Sequence, residues 1–159
     1  MSGLLAEKRR LLAEQIELAR RASDALEHSW AKLSPEVIGA PDPDLQETLE
    51  AMTARFARLE DILIKRVFRA VVAAELADAE RLLDVLDLMA RLGIIESTEQ
   101  WIALKELRNI IVHEYELDDL PALQRRVYQA TPMLRQTLEA VARYAAGQDG
   151  GDSADAPNG

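Results

Sequence analysis

One spacing governs most of this chain: apolar residues recur three, four or seven positions apart and do not settle into alternation. The first series is Leu5, Leu12, Ile16, Ala19, Ser23, Leu26, Trp30 and Leu33. That heptad-like seam predicts one long helix packed lengthwise against its neighbours. Turn residues are sparse and period-two patterning never persists, so no strand is expected. The stretch SPEVIGAPDPD, with three prolines and a glycine, ends the first helix in a loop.

A second helix is expected from about Asp44 through Leu49, Met52, Phe56, Leu59, Leu63 and Val67. Between Val72 and Asp78 it bends or hands over to a third, ELADAERLLDVLDLMARLG, with Gly93 as its C-terminal stop. Ser97, with Gln100 three residues later, reads as a capping box opening a fourth helix. Pro121 suits the first turn of a fifth, carrying Leu123, Val127, Leu134, Leu138 and Val141. Pro132 inside that pattern predicts a kink. The expected fold class is all-α, an antiparallel helical bundle of about five helices.

Length and charge narrow the function. With 159 residues, 48% of them hydrophobic, the chain fits one domain with a real core, placed at residues 1–146. Residues 147–159, GQDGGDSADAPNG, hold three Asp and no base and predict a disordered, solubilising tail. No run approaches the roughly 18 apolar residues of a membrane span, and the N-terminal basic residues lie in an amphipathic pattern without a signal-peptide core. A cytoplasmic location is the expectation. The absence of cysteine excludes disulfides, thiolate metal sites and cysteine nucleophiles, and two histidines are too few for a His-rich metal site within one chain. No metal and no cofactor are expected. A net charge of −9 opposes nucleic-acid binding by bulk electrostatics but leaves room for a local basic patch.

The chemistry concentrates in LRNIIVHEYELDD, residues 107–119. On an ideal helix Trp101, Leu104, Leu107, Ile111 and Tyr115 share one stripe, with Arg108 in its midst. An arginine there must snorkel, pair with an acid, or face a partner. Asn109 and His113, four apart, share an adjoining face. Arg108 and His113 lie about 140° apart, so one chain aims both at one atom only where the helix ends or loosens near His113. Two chains about a two-fold axis would bring four such groups into one cleft. Taken singly, His113 reads as a helix-end histidine favoured by the dipole. Arg108 alone reads as one half of an interhelical ion pair, and Tyr115 as a core ring with its hydroxyl at the rim.

Taken together, Arg108-Asn109-Ile110-Ile111-Val112-His113 resembles the R-x4-H motif of the HEPN superfamily, and Tyr115 extends it to the R-x4-H-x-Y form of HepT-type toxins. ELRN before the motif, HEY followed by an acidic turn, and the segments RLEDIL and LLDVLDLMARLGII are similar to that group. The likeness covers roughly residues 4–145, all but the tail. It implies an α-helical homodimer whose paired motifs form a metal-independent ribonuclease cleft acting on RNA. Arg108 and His113 would be catalytic and Asn109 supporting. It also implies an MntA-type minimal nucleotidyltransferase antitoxin that AMPylates Tyr115. The alternative is a non-catalytic, nucleotidyltransferase-associated substrate-binding subunit. Arg55, Arg58, Arg66 and Arg69 fall within about 80° on the second helix and make a candidate row for RNA phosphates, with solvated face or interhelical pairing as the competing explanation.

Overall fold

The computed structural model describes residues 2–113 and 118–153, and every regular element among them is helical. In chain order these are α1 (Ser2–Trp30), a 3-10 turn (Pro35–Val37), α2 (Pro43–Ile62), a π-helical turn (Leu63–Val67), α3 (Phe68–Ala74), α4 (Leu82–Arg91), α5 (Thr98–Val112) and α6 (Leu120–Ser153). Because α2, the π turn and α3 follow one another without a break, the described residues make five rods, the number expected from the periodicity. No helix among the described residues is long and apolar enough to cross a membrane.

The predicted seams are the ones that bury. Leu12, Ile16, Ala19, Ser23, Leu26 and Leu33 line the inner face of α1 and the turn after it. Leu49, Met52, Phe56, Leu59, Leu63 and Val67 do the same along the second rod. Leu123, Val127, Leu134, Leu138 and Val141 form the buried face of α6. All but the buried Ser23 belong to one apolar cluster, with α1 packed along α2, α3 and α6, and α2 touching α5 and α6.

The helix ends are set by local chemistry. Asp42 caps α2, its carboxylate accepting the amide hydrogens of Asp44 at 2.9 Å and Leu45 at 3.5 Å, with Pro43 in the first turn. Gly93, at φ +74°, closes α4: its own amide reaches Ala90 O and that of Ile94 reaches Met89 O, a Schellman motif. The second rod ends the same way but with a leucine in the left-handed position. Leu76 has φ 55°, its amide bonding Ala73 O and that of Ala77 bonding Val72 O.

Two expectations need correction. The third helix does not begin at Glu75: residues 75–81 are not helical, and α4 starts at Leu82. The Schellman closure at Leu76 terminates the preceding ladder, and Arg69 Nη1 fixes the connection by donating to Ala79 O and Glu80 O at 3.3 and 2.7 Å. Residues 147–153, expected in the tail, continue α6. A contact at the start of this stretch, Arg9 Nη2 to Gln148 Oε1 at 3.4 Å, ties it back to α1.

Pro132 lies within α6, which runs through it as one helix. Lacking an amide hydrogen, it leaves the carbonyl of Tyr128 without its helical donor. Trp30, at the end of α1, supplies the replacement: its indole N–H donates to Tyr128 O at 3.0 Å. The Trp30 and Tyr128 rings stack at 5.1 Å, and the Tyr128 hydroxyl reaches Leu33 O at 3.5 Å. The helix defect in α6 is thus one of the joints that fasten α1 to it.

Candidate functional site

α5 presents the motif, so its placement comes first. Ser97 caps it through Oγ, which accepts the Gln100 amide hydrogen at 3.1 Å, the first half of the predicted capping box. Trp101, Leu104, Leu107 and Ile111 are buried along one stripe. The Trp101 ring meets Phe68 of α3 edge-on at 4.8 Å, which sets the rotation of α5 against the second rod. That rotation points Arg108 at the last turn of α2.

Arg108 is three-quarters covered, its side chain 25% exposed, and Nη2 donates to Asp61 Oδ2 at 2.7 Å. Lys65 Nζ approaches the other oxygen of Asp61 at 3.3 Å. Nη1 of Arg108 reaches Asn109 Oδ1 at 3.4 Å, and Nε is buried without a hydrogen-bond partner. The guanidinium is therefore anchored by an acid from α2, as an arginine on an apolar stripe requires.

Beside this pair lies Glu60, 1% exposed, its Oε1 buried without a hydrogen-bond partner. Burial, with Asp61 adding repulsion, pushes its carboxyl up from 4.5 to about 7 against the opposing pull of Arg108, Lys65 and Lys105. Neither acid was singled out from sequence. The signal for Glu60 was present: Phe56, Leu59, Leu63 and Val67 define the buried stripe, and Glu60 stands within it.

His113 is exposed and is the first residue past α5, with φ −107°, ψ 26° and its amide bonded to Ile110 O at 3.1 Å. The helix ends before it, so the 140° separation of an ideal helix no longer governs where its ring lies relative to Arg108. Its position at a helix C-terminus is also the one expected from the dipole alone. Asn109 is exposed, and so is Val112, at 49%. Tyr115 lies outside the described residues.

Of the four arginines in the candidate phosphate row, two serve the fold. Arg55 Nη1 donates to Ala25 O at 2.8 Å and Ser29 Oγ at 2.6 Å, fastening α2 to α1. Arg69 holds the connection after α3, as described above. Arg58 and Arg66 are exposed, and the π turn that contains Arg66 shifts it from the angle an uninterrupted helix would give. Among the described residues no group of three or more His, Cys, Asp or Glu comes together to hold a metal ion.

The site thus offers a largely covered guanidinium shared with an acid, an exposed amide, and an imidazole at a helix end. Such groups can bind an anion and pass a proton. No family model, curated protein or solved structure matches this chain.

Proposed function

We propose that the chain is a HEPN-type toxin of the HepT kind: a metal-independent ribonuclease acting as a two-fold homodimer of antiparallel helical bundles. An MntA-type nucleotidyltransferase antitoxin would silence it by transferring AMP to Tyr115. The observation that carries this reading is the R-x4-H part of the R-x4-H-x-Y sequence falling where α5 ends, with Arg108 on the final turns and His113 just past them. In the reaction the 2′-oxygen of RNA attacks phosphorus as its proton passes to an imidazole. The P–O5′ bond breaks and the leaving oxygen takes a proton, yielding a 2′,3′-cyclic phosphate and a 5′-hydroxyl. His113 supplies the proton-transfer group, and Arg108 offsets charge on the phosphoryl oxygens. The second copy brings a second pair to the cleft.

Purified wild-type protein should cleave RNA in EDTA, and Arg108→Ala and His113→Ala should each lose cleavage while keeping helicity. Full activity in either variant removes the mechanism. One observation favours a second reading, a non-catalytic subunit that docks a nucleotidyltransferase: Asp61 already pairs with Arg108 within the chain. Expression toxicity relieved by His113→Ala separates the two, because a docking subunit has no toxicity to relieve.

A further inference from the structure

The α2–α5 interface holds two buried polar atoms without hydrogen-bond partners and of opposite kind. Oε1 of Glu60 is an acceptor, and Nε–H of Arg108 is a donor. They belong to adjacent parts of one cluster, because the Arg108 charge acts on the Glu60 carboxyl and Asp61, next to Glu60, already binds Nη2. The other charges facing Glu60 are Lys65 from its own rod and Lys105 from α5, and both lysines are exposed.

We propose that Glu60 is a positioning residue for Arg108: it is a second, buried acceptor that competes with Asp61 for the guanidinium and sets how far Arg108 is withdrawn from the surface. With Glu60 protonated the interior carries no negative charge there, and Arg108 stays on Asp61. Loss of that proton leaves a carboxylate in a low-dielectric site, where an unpaired charge is costly. The partly buried guanidinium, with one N–H still unused, is the cation placed to answer it. The upward push on the Glu60 carboxyl to about 7 puts this exchange in the neutral range. The consequence for catalysis rests on the reading of Arg108 as the phosphate-binding group; the exchange itself does not.

The test is an NMR titration of the full chain without RNA, from about pH 5 to about pH 9, spanning the ordinary carboxyl and imidazole ranges. It follows the Arg108 Nε–Hε signal, assigned with Arg108→Lys, and the Glu60 side-chain carboxyl carbon. In wild type both should move with one shared midpoint near 7. In Glu60→Gln the Arg108 signal should stay flat, and in His113→Gln it should titrate as in wild type. A flat Arg108 signal in wild type overturns the proposal without need of any variant. So does a titration that persists in Glu60→Gln and vanishes in His113→Gln, since the histidine would then be its source. If the titration behaves as expected and no RNA is cleaved, the ribonuclease reading falls while the positioning role stands. If cleavage holds and the titration fails, the reverse is true.

Discussion

Trp30 offers the sharpest energetic test of how this fold is joined. Its indole N–H takes the place of the amide hydrogen that Pro132 lacks, bonding Tyr128 O at 3.0 Å. Trp30→Phe keeps an aromatic ring for stacking on Tyr128 but leaves that carbonyl without a donor. An unsatisfied buried group costs about 1–3 kcal/mol, and this bond is only part-buried, so a loss of about 1–2 kcal/mol is expected. Pro132→Ala restores an amide hydrogen at the position that should serve Tyr128 O. In that background Trp30→Phe should cost less by about 1 kcal/mol or more, because the carbonyl has a second donor to fall back on. Urea unfolding of wild type, both single variants and the double variant closes the cycle, with circular dichroism at helical wavelengths as the probe. Each kcal/mol should also move the Tm by about 2–4 °C in a chain of this size. Costs equal in the two backgrounds to within about 0.5 kcal/mol would mean independent sites and refute the exchange of donors.

Three further outcomes are expected. Glu60 holds its proton more tightly folded than unfolded, so its contribution to stability is present below 4.5 and is lost as pH rises through about 7. A tenfold change in proton affinity is worth about 1.4 kcal/mol, so Glu60→Gln should be more stable than wild type by about 3 kcal/mol at pH 8 and nearly equal to it at pH 4; equal stability at pH 8 would show that folding does not tighten the hold of this carboxyl on its proton. Leu76 sits at φ 55° and is 50% exposed, so Leu76→Gly should relieve left-handed strain and raise stability by about 0.5–1 kcal/mol in thermal unfolding, whereas a fall would mean that its side chain matters more than its backbone. Ser97→Ala should cost about 1 kcal/mol through loss of the α5 cap, measured the same way, with no change leaving the 3.1 Å bond to the Gln100 amide without energetic weight.

The helical class and the buried faces were readable because burial selects a period, and the period survives in the sequence wherever a helix is regular. Leu12, Ile16 and Leu26, or Leu134, Leu138 and Val141, needed nothing but counting. What escaped was set by backbone events with weak composition signals. The end of the second rod depends on Leu76 taking a conformation that glycine usually supplies, so no glycine marked it. Asp61 could not be matched to Arg108 by counting, since they are 47 residues apart and meet only because α5 packs on α2. Arg55 and Arg69 could not be sorted by counting between a phosphate row, a solvated face and interhelical bonds, since a helical wheel shows angles and not the carbonyls within reach of a long side chain. Glu60 was the legible exception, an acid on a stripe otherwise apolar.

The π turn has a consequence beyond its own five residues. There the Phe68 amide bonds Leu63 O, five residues back, where an α-helix would reach back four. The rod from Pro43 to Ala74 thus holds one residue more than a uniform α-helix of the same course needs. Deleting a single residue from this turn would let the ladder close as α over that same course, with Phe68 and Val71 still on the core and Trp101 of α5 still against its ring. The turn is thus a place where the rod can lose a residue and keep the faces on either side of it in register. A regular turn has no such reserve: there one residue fewer rotates everything after it by about 100°. Phe68 would then leave the core, and with it would go the rotation that brings Arg108 to Asp61.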